Sequence, residues 1–585
     1  MFEKQYRKIK QYLGIINSQR LVGWRDIPDI TSCSSDYKTS NTPPALSEFT
    51  PFTSGGVWGS GKDSHAWFHF EVNVPEDMKA KPIRLILKTE RGGWDSCNPQ
   101  FIAYIDGVLR QGLDTNHTFV NLDDAPRHDV YVYAYTGPEI TSSRFYAQLV
   151  NVNTTCDQLW YDIIVPFQML DYLDPNSHEY AEIIRHLDAA VSFLELYEIG
   201  GADFFESVEK AKAYMDEEFY GKYCSPERGD DSPTTIGIGH THIDCAWLWT
   251  LKQTREKVQR SFATVLELMD QYPEYKFMSS QALLYKDLKE EAPETYERVK
   301  ERIKDGRWEC EGAMWVEADC NLTSGESLVR QVMYGKRFFR DEFGVDNRVL
   351  WLPDVFGYSA ALPQILKKSG VDWFVTSKIG WNDTNTIPYD TFAWHGIDGT
   401  PINTYFLTAQ DQGRGAPSRQ TTYVANTGSR MIAGTWNRYQ QKYLNNEAIV
   451  TFGFGDGGGG PTLEHLEMGR RTAKGIPGAP VFRIDFAGNF LRRLEKKIEN
   501  NPLLPSWQGE LYLEFHRGTY TSISKNKRNN RQSEFLYLDA EFMATLERAL
   551  LGTEFPKASL HHGWEMILTN QFHDIIPGSS IKPVY

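Results

Sequence analysis

Long apolar runs and an excess of positive charge are both missing from this sequence. No stretch of its 585 residues approaches the roughly 20 consecutive apolar residues that a membrane-spanning helix needs. Lysine and arginine total 62 against 77 aspartates and glutamates, which gives a formal net charge of −15. Because phosphates and anionic lipids are bound by basic surfaces, neither nucleic acid nor a membrane is an expected partner.

Cysteine is scarce, and the start of the chain has no apolar leader. The 7 cysteines are an odd number without a close-paired pattern, which indicates reduced thiols rather than a disulfide framework. The N-terminal segment MFEKQYRKIKQYLGIINSQR carries charges throughout and lacks an apolar core of signal-peptide length. We therefore expect a cytoplasmic protein, with vacuolar import by a non-classical route left open for a eukaryotic source.

The chain is too long for one core, because single domains rarely exceed about 250 to 300 residues. Short alternating or apolar runs at 66–72 and 83–87, separated by turn-rich segments, indicate a β-sandwich. Beyond a Pro/Gly/Asp-rich linker at 225–233, strand-like and helix-like segments alternate, which is typical of parallel strands joined by helices.

We therefore predict a multidomain α/β fold. Its parts are an N-terminal helix and connector (1–35), a β-sandwich (36–165), a helical linker (166–230), an α/β domain with parallel strands in a barrel-like (β/α) arrangement (231–500) and the start of a helical bundle (501–585). Predicted helices include 253–271, 283–304, 328–343, 429–444 and 530–551. Predicted strands include 234–239, 276–280, 349–352, 373–376 and 449–454.

Two predicted strands end in residues that can bind metal or transfer protons. Strand 234–239 runs into His240, His242 and Asp244, with Trp247 shortly after. In an extended segment His242 and Asp244 project to the same face, which suits half of a zinc site but also a hydrogen-bonded structural pair. Strand 349–352 ends at Asp354, which is either a helix N-cap or a reactive carboxylate.

Two further clusters follow later in the chain. Asp456 precedes four glycines, but this run lacks the Lys-Ser/Thr of a phosphate-binding P-loop, so phosphate binding is only weakly indicated. His573 and Asp574 precede a Pro-Gly breaker. Ligands gather at the carboxyl ends of parallel strands. Two histidines and two aspartates from these distant segments could thus complete a metal shell, leaving Asp456 for acid chemistry.

In this order the four clusters resemble the class II α-mannosidases, glycoside hydrolase family 38. The matching motifs are H-x-H-x-D with a following Trp at 240–247, D-x-F-G-[HY]-S at 354–359, a Gly-Asp-Gly loop at 455–457 and [HF]-H-D-x-[IV]-x-G at 572–578. The resemblance covers about residues 230 to 585. The preceding sandwich resembles the N-terminal extension of the cytosolic and vacuolar-type branch.

The resemblance implies a retaining exo-α-mannosidase that removes terminal α-linked mannose from oligosaccharides. It implies that one divalent ion, usually zinc, is bound by His242, Asp244, Asp354 and His573, with cobalt or manganese left open. Asp354 is also the expected nucleophile and Asp456 the expected general acid/base. Trp247 is expected to stack under the sugar ring, and Asp574 to hold a sugar hydroxyl.

Two departures point away from the Golgi and lysosomal branches. The Asp-Pro-Gly-Trp of the secretory-pathway enzymes is here Asp244-Cys245-Ala246-Trp247, and their His-His-Asp is here Phe572-His573-Asp574. In the family the helical bundle continues and large β domains follow, so we expect this chain to be the front part of a longer polypeptide. Linkage preference and oligomeric state are not indicated, and a homo-oligomer stays open.

Two rival functions remain at this stage. A metal-dependent carbohydrate deacetylase also uses an Asp/His/His site, although Asp456 would then have no obvious task. A non-catalytic sugar-binding protein would use the sandwich and its aromatic residues to bind glycans, with a structural metal. Three results separate these functions. A mannosidase cleaves aryl α-mannosides, a deacetylase releases acetate, and a sugar-binding protein shows saturable binding without turnover.

Overall fold

The computed structural model describes residues 2–37, 42–89, 98–229, 231–412 and 420–585. The chain begins with helix α1 (Glu3–Ser18), whose Ile9, Leu13 and Ile16 are buried at helical spacing. Twelve strands follow within the described part of the N-terminal region: β1 (Leu21–Asp26), β2 (Ile30–Ser35), β3 (Thr50–Phe52), β4 (Val57–Trp58), β5 (His65–Asn73), β6 (Ile83–Lys88), β7 (Gln100–Ile105), β8 (Val108–Leu113), β9 (Phe119–Leu122), β10 (Arg127–Tyr135), β11 (Ser143–Arg144) and β12 (Tyr146–Val152).

These strands build two antiparallel sheets around one core. One sheet has the order β1-β12-β6-β9 and the other β3-β2-β5-β10-β7-β8. Phe70 of the second sheet and Leu85 and Leu149 of the first belong to the same buried cluster. One face of each sheet therefore lies in a shared core, as expected for a sandwich, and the other face of the second sheet adds Trp67, Ile102 and Tyr133 to the core of the α/β domain.

The first part of the sandwich lies in the segment predicted as a connector. Strand β1 pairs with β12, and β2 pairs with β3 and β5. The prediction of a connector up to residue 35 is therefore wrong from residue 21 onward. Residues 21–26 are mostly exposed, and 30–35 are mostly small and polar, so no apolar alternation marks them as strands.

Three helices follow the sandwich in the chain: α2 (Thr154–Met169), α3 (His178–Val191) and α4 (Ala202–Tyr214). Helix α2 begins inside the segment predicted as sandwich, because Asn153 caps it by accepting a hydrogen bond from the Cys156 amide. Together with α1 these helices enclose their own apolar core.

The α/β domain contributes ten strands and eight helices among the described residues. The strands are β13 (Thr234–His240), β14 (Phe277–Ser279), β15 (Trp308–Cys310), β16 (Val349–Leu352), β17 (Trp373–Thr376), β18 (Thr391–His395), β19 (Pro401–Phe406), β20 (Glu447–Phe452), β21 (Val481–Ile484) and β22 (Ser506–Gln508). The helices are α5 (Leu251–Gln271), α6 (Ala282–Glu291), α7 (Pro293–Lys304), α8 (Gly325–Phe343), α9 (Leu362–Lys368), α10 (Ser429–Arg438), α11 (Leu463–Thr472) and α12 (Ala487–Ile498).

The strands form two five-stranded sheets that share a core. The first has the order β15-β14-β13-β20, with β21 also paired to β13, and all its pairings are parallel. The second has the order β16-β17-β19-β18-β22 and contains one antiparallel pair, β18 and β19. Ile238 of the first sheet and Trp351 of the second lie in one buried cluster. The predicted parallel sheet is confirmed, whereas a closed barrel is not confirmed.

Several predicted boundaries shift for local reasons. The segment predicted as one helix at 283–304 is two helices, α6 and α7, because Pro293 starts a new helix and cannot continue the previous one. The helix predicted to reach residue 444 ends at Arg438. Strand β22 joins the second sheet, so residues 506–508 belong with the α/β domain and not with the helices that follow.

The chain ends with two packed helices, α13 (Ser524–Leu551) and α14 (Lys557–Asn570). A helical bundle is not confirmed from these two alone. Many apolar side chains of α13 face solvent, including Phe535, Leu536, Phe542 and Met543. Within the described ranges, no helix combines the length and the hydropathy needed to span a bilayer.

Candidate active site

The four residues predicted as metal ligands meet in one buried cluster. His242 and Asp244 follow β13, Asp354 follows β16, and His573 follows α14. One ligand atom from each lies within 4.8 Å of the others, and all four residues are buried. The carboxyl ends of strands from both sheets and the turn that follows α14 therefore supply one site.

Glu317 lies close to both histidines of the cluster. The Glu317 carboxylate lies 3.1 Å from His242 Nδ1, and its backbone oxygen lies 2.7 Å from His573 Nδ1. His242 Nε2 faces Asp244 Oδ1 at 2.9 Å. His573 Nε2 lies 3.4 Å from Asp244 Oδ1 and 3.9 Å from Asp354 Oδ2.

This arrangement fits a divalent cation. The Nδ1 of His573 is occupied by a carbonyl, so the lone pair of a neutral imidazole lies on Nε2. Among the described residues, buried His573 Nε2 has no hydrogen-bond partner. Two imidazoles and two carboxylates form a donor set that zinc accepts, and an outer carboxylate or carbonyl behind each histidine is the usual support for such ligands.

The charges of the cluster favour the binding of a cation. Burial opposes protonation of His242, but Glu317 and Asp244 outweigh it and hold the pKa of His242 well above its usual value. Burial likewise opposes ionisation of Asp244, yet His242 and His573 hold its pKa below the usual range. Buried carboxylates of this kind need a nearby cation, and a metal ion supplies one.

Asp354 has a second partner besides the cluster. The ammonium group of Lys378 is ion-paired with Asp354 Oδ1, and it lies 4.0 Å from the centre of the Trp381 ring. Asp354 Oδ2 points toward His573. One oxygen of this carboxylate is thus held by a fixed charge, while the other faces the metal-ligand cluster.

Asp456 follows β20 and lies in an environment that favours its protonated form. Burial, then Asp354 and Asp244, raises the pKa of Asp456 to about 7. The Tyr423 hydroxyl donates to Asp456 Oδ1 at 2.8 Å. The chain leading to Asp456 passes close to the backbone of His240. Residue 453 must therefore be glycine, because a Cβ there would lie 2.3 Å from the backbone oxygen of His240.

The two predicted sugar-contacting residues lie beside the cluster. Trp247 is half-buried, and its ring meets that of Trp249 edge-on at 5.9 Å. Asp574 Oδ2 lies 4.0 Å from His573 Nε2, and Asp574 accepts a hydrogen bond from the Ser579 hydroxyl. Burial and then Asp244 raise the pKa of Asp574 to about 7.

Comparison with known families identifies the chain. Residues 232–510 match the glycosyl hydrolases family 38 N-terminal domain, and residues 514–585 match the alpha mannosidase middle domain. The chain belongs to glycoside hydrolase family 38. The family expected from the motifs is therefore confirmed.

Relatives within family 38 align over most of this chain. Alpha-mannosidase G of Dictyostelium discoideum is 40% identical over 536 residues, which are 89% of this chain and 47% of that protein. Alpha-mannosidase 2C1 of Homo sapiens is 38% identical over 540 residues, which are 88% of this chain and 49% of that protein. The chain thus spans about half the length of these curated relatives.

A solved structure extends the likeness to the fold. An alpha-mannosidase from Enterococcus faecalis V583 aligns with 60% of this chain and 40% of its own, with a TM-score of 0.50 and 19% identity. At that identity the likeness concerns the fold alone. It supports a mixed α/β architecture of the family 38 type.

Three residues of this family 38 site were not found from the sequence: Glu317, Lys378 and Tyr423. Glu317 offered one signal, since it is a charged residue in the largely apolar segment Ala313-Met314-Trp315-Val316-Glu317-Ala318. Lys378 comes directly after β17 with only Ser377 between them, so it too follows a parallel strand. Tyr423 has no comparable pattern around it.

Proposed function

We propose that this chain carries the catalytic site of a retaining exo-α-mannosidase that removes terminal α-linked mannose from oligosaccharides. The observation that carries the proposal is the meeting of a buried cluster that could hold a metal ion and includes Asp354 with a second, partly buried carboxyl, Asp456, whose pKa is raised to about 7. A retaining glycosidase needs one carboxylate as nucleophile and one carboxylic acid as proton donor. The names of the family 38 relatives support α-mannosides as the substrate class.

In the first step Asp354 attacks the anomeric carbon as the bond to the leaving oxygen breaks. Asp456 gives its proton to that oxygen, which departs as an alcohol. Lys378, paired with Asp354 Oδ1, fixes the attacking carboxylate, and Tyr423 fixes the acid through its hydrogen bond. A proton donor with a pKa near the working pH is the effective choice for this role.

In the second step ionised Asp456 takes a proton from water, and the water oxygen bonds to the anomeric carbon. The ester bond to Asp354 breaks at the same time, and mannose leaves with its α configuration retained. Two inversions at one carbon thus restore the original geometry.

A divalent ion, zinc in our proposal, would be held by His242, Asp244, Asp354 and His573. There it would supply Lewis-acid binding of the mannose 2- and 3-hydroxyls, a cis pair that distinguishes mannose. We expect Trp247 to stack on the sugar ring and Asp574 to accept a hydrogen bond from a sugar hydroxyl. A cytoplasmic location and zinc as the bound ion stay predictions.

The decisive experiment follows hydrolysis of aryl α-mannosides with and without bound metal. We expect cleavage that depends on a divalent ion and proton NMR signals of α-mannose as the first product. Acetate release from acetylated sugars without mannoside cleavage would favour a deacetylase instead. Saturable mannoside binding without any product would favour a binding protein.

A further inference from the structure

A cleft of about 480 Å³ lies between the β-sandwich and the α/β domain. Its walls come from β6, β8, β9, α2, α5 and α11. That volume is within the range of sites that hold small molecules, roughly 300 to 1,000 Å³. The proposed metal ligands and Asp456 do not line this cleft, although Phe454 does and lies two positions before Asp456.

One arginine in the wall, Arg84, makes no ion pair among the described residues, although the nearby Asp157 carboxylate favours its charged form. Arg84 is 7% exposed, and its Nε donates to Asn121 Oδ1 at 3.2 Å. Its guanidinium lies 4.1 Å from the centre of the Phe119 ring. Among the described residues its terminal amino groups have no hydrogen-bond acceptor and no carboxylate partner. A buried guanidinium is costly unless an anion pairs with it.

The second arginine of the cleft, Arg20, already has protein partners for its guanidinium group. Arg20 Nε donates to Asp157 Oδ1 at 2.8 Å, and its terminal nitrogen donates to the Tyr161 hydroxyl at 2.9 Å. Its guanidinium is therefore already paired within the fold. The unpaired positive charge of the cleft lies with Arg84.

The remaining polar lining suits hydroxyl groups. Burial lowers the pKa of His117 to about 4 and that of His465 to about 3, so both rings are neutral at neutral pH. Glu464 is a carboxylate of the lining, and burial raises its pKa, with Arg20 opposing and Asp157 adding to that shift. Six side-chain amides complete the wall: Gln111, Asn116, Asn121, Gln168, Gln271 and Asn426.

Asn116 and His117, at the floor of the cleft, contact the glycine-rich loop that follows Asp456. Asn116 Nδ2 donates to the Gly458 oxygen at 3.2 Å, and His117 Nε2 lies 3.0 Å from the Pro461 oxygen. Residues 457–460 are all glycine and have no side chains to fix their position. These contacts from the cleft therefore help to determine where the loop lies.

We propose that the cleft binds a small polyhydroxylated anion, a sugar bearing one carboxylate or phosphate group. Its anion pairs with Arg84 and its hydroxyls bond to the amides. Because the cleft floor holds residues 457–461, the bound sugar acid also alters the rate of the Asp456-dependent step. That second part rests on the proposed mannosidase function, whereas the binding itself does not.

Isothermal titration of the 585-residue protein tests the binding with four probes: glucose 6-phosphate, gluconate, glucose and inorganic phosphate. We expect both sugar anions to bind at least tenfold more tightly than glucose and than phosphate alone. A preference between the two sugar anions would distinguish phosphate from carboxylate recognition. Absence of binding by either sugar anion would overturn the proposal.

Three variants locate the site. Arg84→Gln should weaken sugar-anion binding at least tenfold, and Thr118→Trp, at an exposed lining position, should block it by filling the cleft. Arg185→Gln is the matched control, because Arg185 is an arginine paired with Glu182 on α3 and should leave binding unchanged. If Arg84→Gln fails to fold by circular dichroism, Thr118→Trp decides alone, and full binding by that variant would refute the site.

Asp354→Asn separates this proposal from the proposed function. Sugar-anion binding should persist in that variant, because Asp354 does not line the cleft; its loss there would place the binding in the active site and overturn the proposal. In the unmodified protein, a mannosidase rate that stays unchanged at saturating sugar anion would refute the coupling to the Asp456 loop. A protein that binds the anion but never cleaves mannosides would contradict the proposed function alone.

Discussion

Replacing Glu317 with glutamine tests how the protein supports its metal ligands. The Glu317 carboxylate lies 3.1 Å from His242 Nδ1 and accepts the Ser280 hydroxyl at 2.6 Å. Its backbone oxygen, which contacts His573, does not change with the side chain. The substitution therefore removes a negative charge behind one of the two histidine ligands and leaves the support of the other intact.

Loss of a supporting carboxylate typically weakens metal binding by about 10- to 100-fold, which corresponds to about 1.4 to 2.7 kcal/mol. We expect an increase of that size in the zinc dissociation constant of Glu317→Gln, measured by competition with a fluorescent chelator. The pKa of His242 in the metal-free protein should also fall, since Glu317 is the largest of the charges that raise it. Proton NMR of the imidazole measures that change directly.

Glu309→Gln is the matched control for this experiment. Glu309 is another glutamate with protein hydrogen bonds, accepting from the Ala487 and Gly488 amides, and it is not among the cluster residues. Its substitution should leave zinc affinity within twofold of the original. Equal zinc affinities for the Glu317 and Glu309 variants, both folded, would refute the role given to Glu317.

Further expectations concern the two carboxyls, the metal and the surface. Asp354→Ala should be inactive even with activated aryl mannosides. Asp456→Ala should hydrolyse mannosides with poor leaving groups about 10²- to 10⁴-fold more slowly, and those with good leaving groups should be affected much less. If both variants depended on the leaving group in the same way, the roles given to the two carboxyls would be contradicted. Activity should fall as pH rises through about 7, where Asp456 loses its proton. Tyr423→Phe should move that fall to higher pH, because the Tyr423 hydrogen bond favours the ionised form; an unmoved pH–rate profile would contradict this. Prolonged chelation should abolish turnover and added zinc restore it, so full activity in protein free of metal by elemental analysis would refute the site. Changing exposed Phe542 and Met543 on α13 to Glu and Lys should reduce aggregation seen by light scattering, with stability changed by about 0.5 kcal/mol or less per position.

The sequence predicted the ligand cluster because each member stands next to a recognisable structural signal. Asp354 and the His242-Asp244 pair follow apolar strands, and His573 precedes a Pro-Gly breaker. The carboxyl ends of parallel strands are where such residues gather, but β13 and β16 lie in two different sheets and His573 follows α14. The meeting of the four residues within 4.8 Å therefore also depends on how the two sheets and the C-terminal helices pack together.

Glu317 and Tyr423 lacked such signals because tertiary packing alone brings them to the site. Glu317 lies in a loop after the short strand β15, and Tyr423 in a loop between β19 and α10. No periodicity records where a loop residue points. The same reason explains why β1 and β2 were missed, since pairing with distant strands, and not apolar alternation, makes them strands.

The proposed metal binding and the proposed acid catalysis depend on the same group of carboxylates. Asp244, Glu317, Asp354, Asp456 and Asp574 come from separate parts of the chain, and each is buried or nearly so. Among the described residues the positive groups that contact them are Lys378 and the two histidines. The surplus of negative charge favours a bound cation on one side of the cluster. On the other side the charges of Asp354 and Asp244 discourage ionisation of Asp456, which in the proposed mechanism keeps a proton available for the leaving group. Removing either Asp354 or Asp244 should therefore disturb both properties, and no single motif in the sequence expresses that balance.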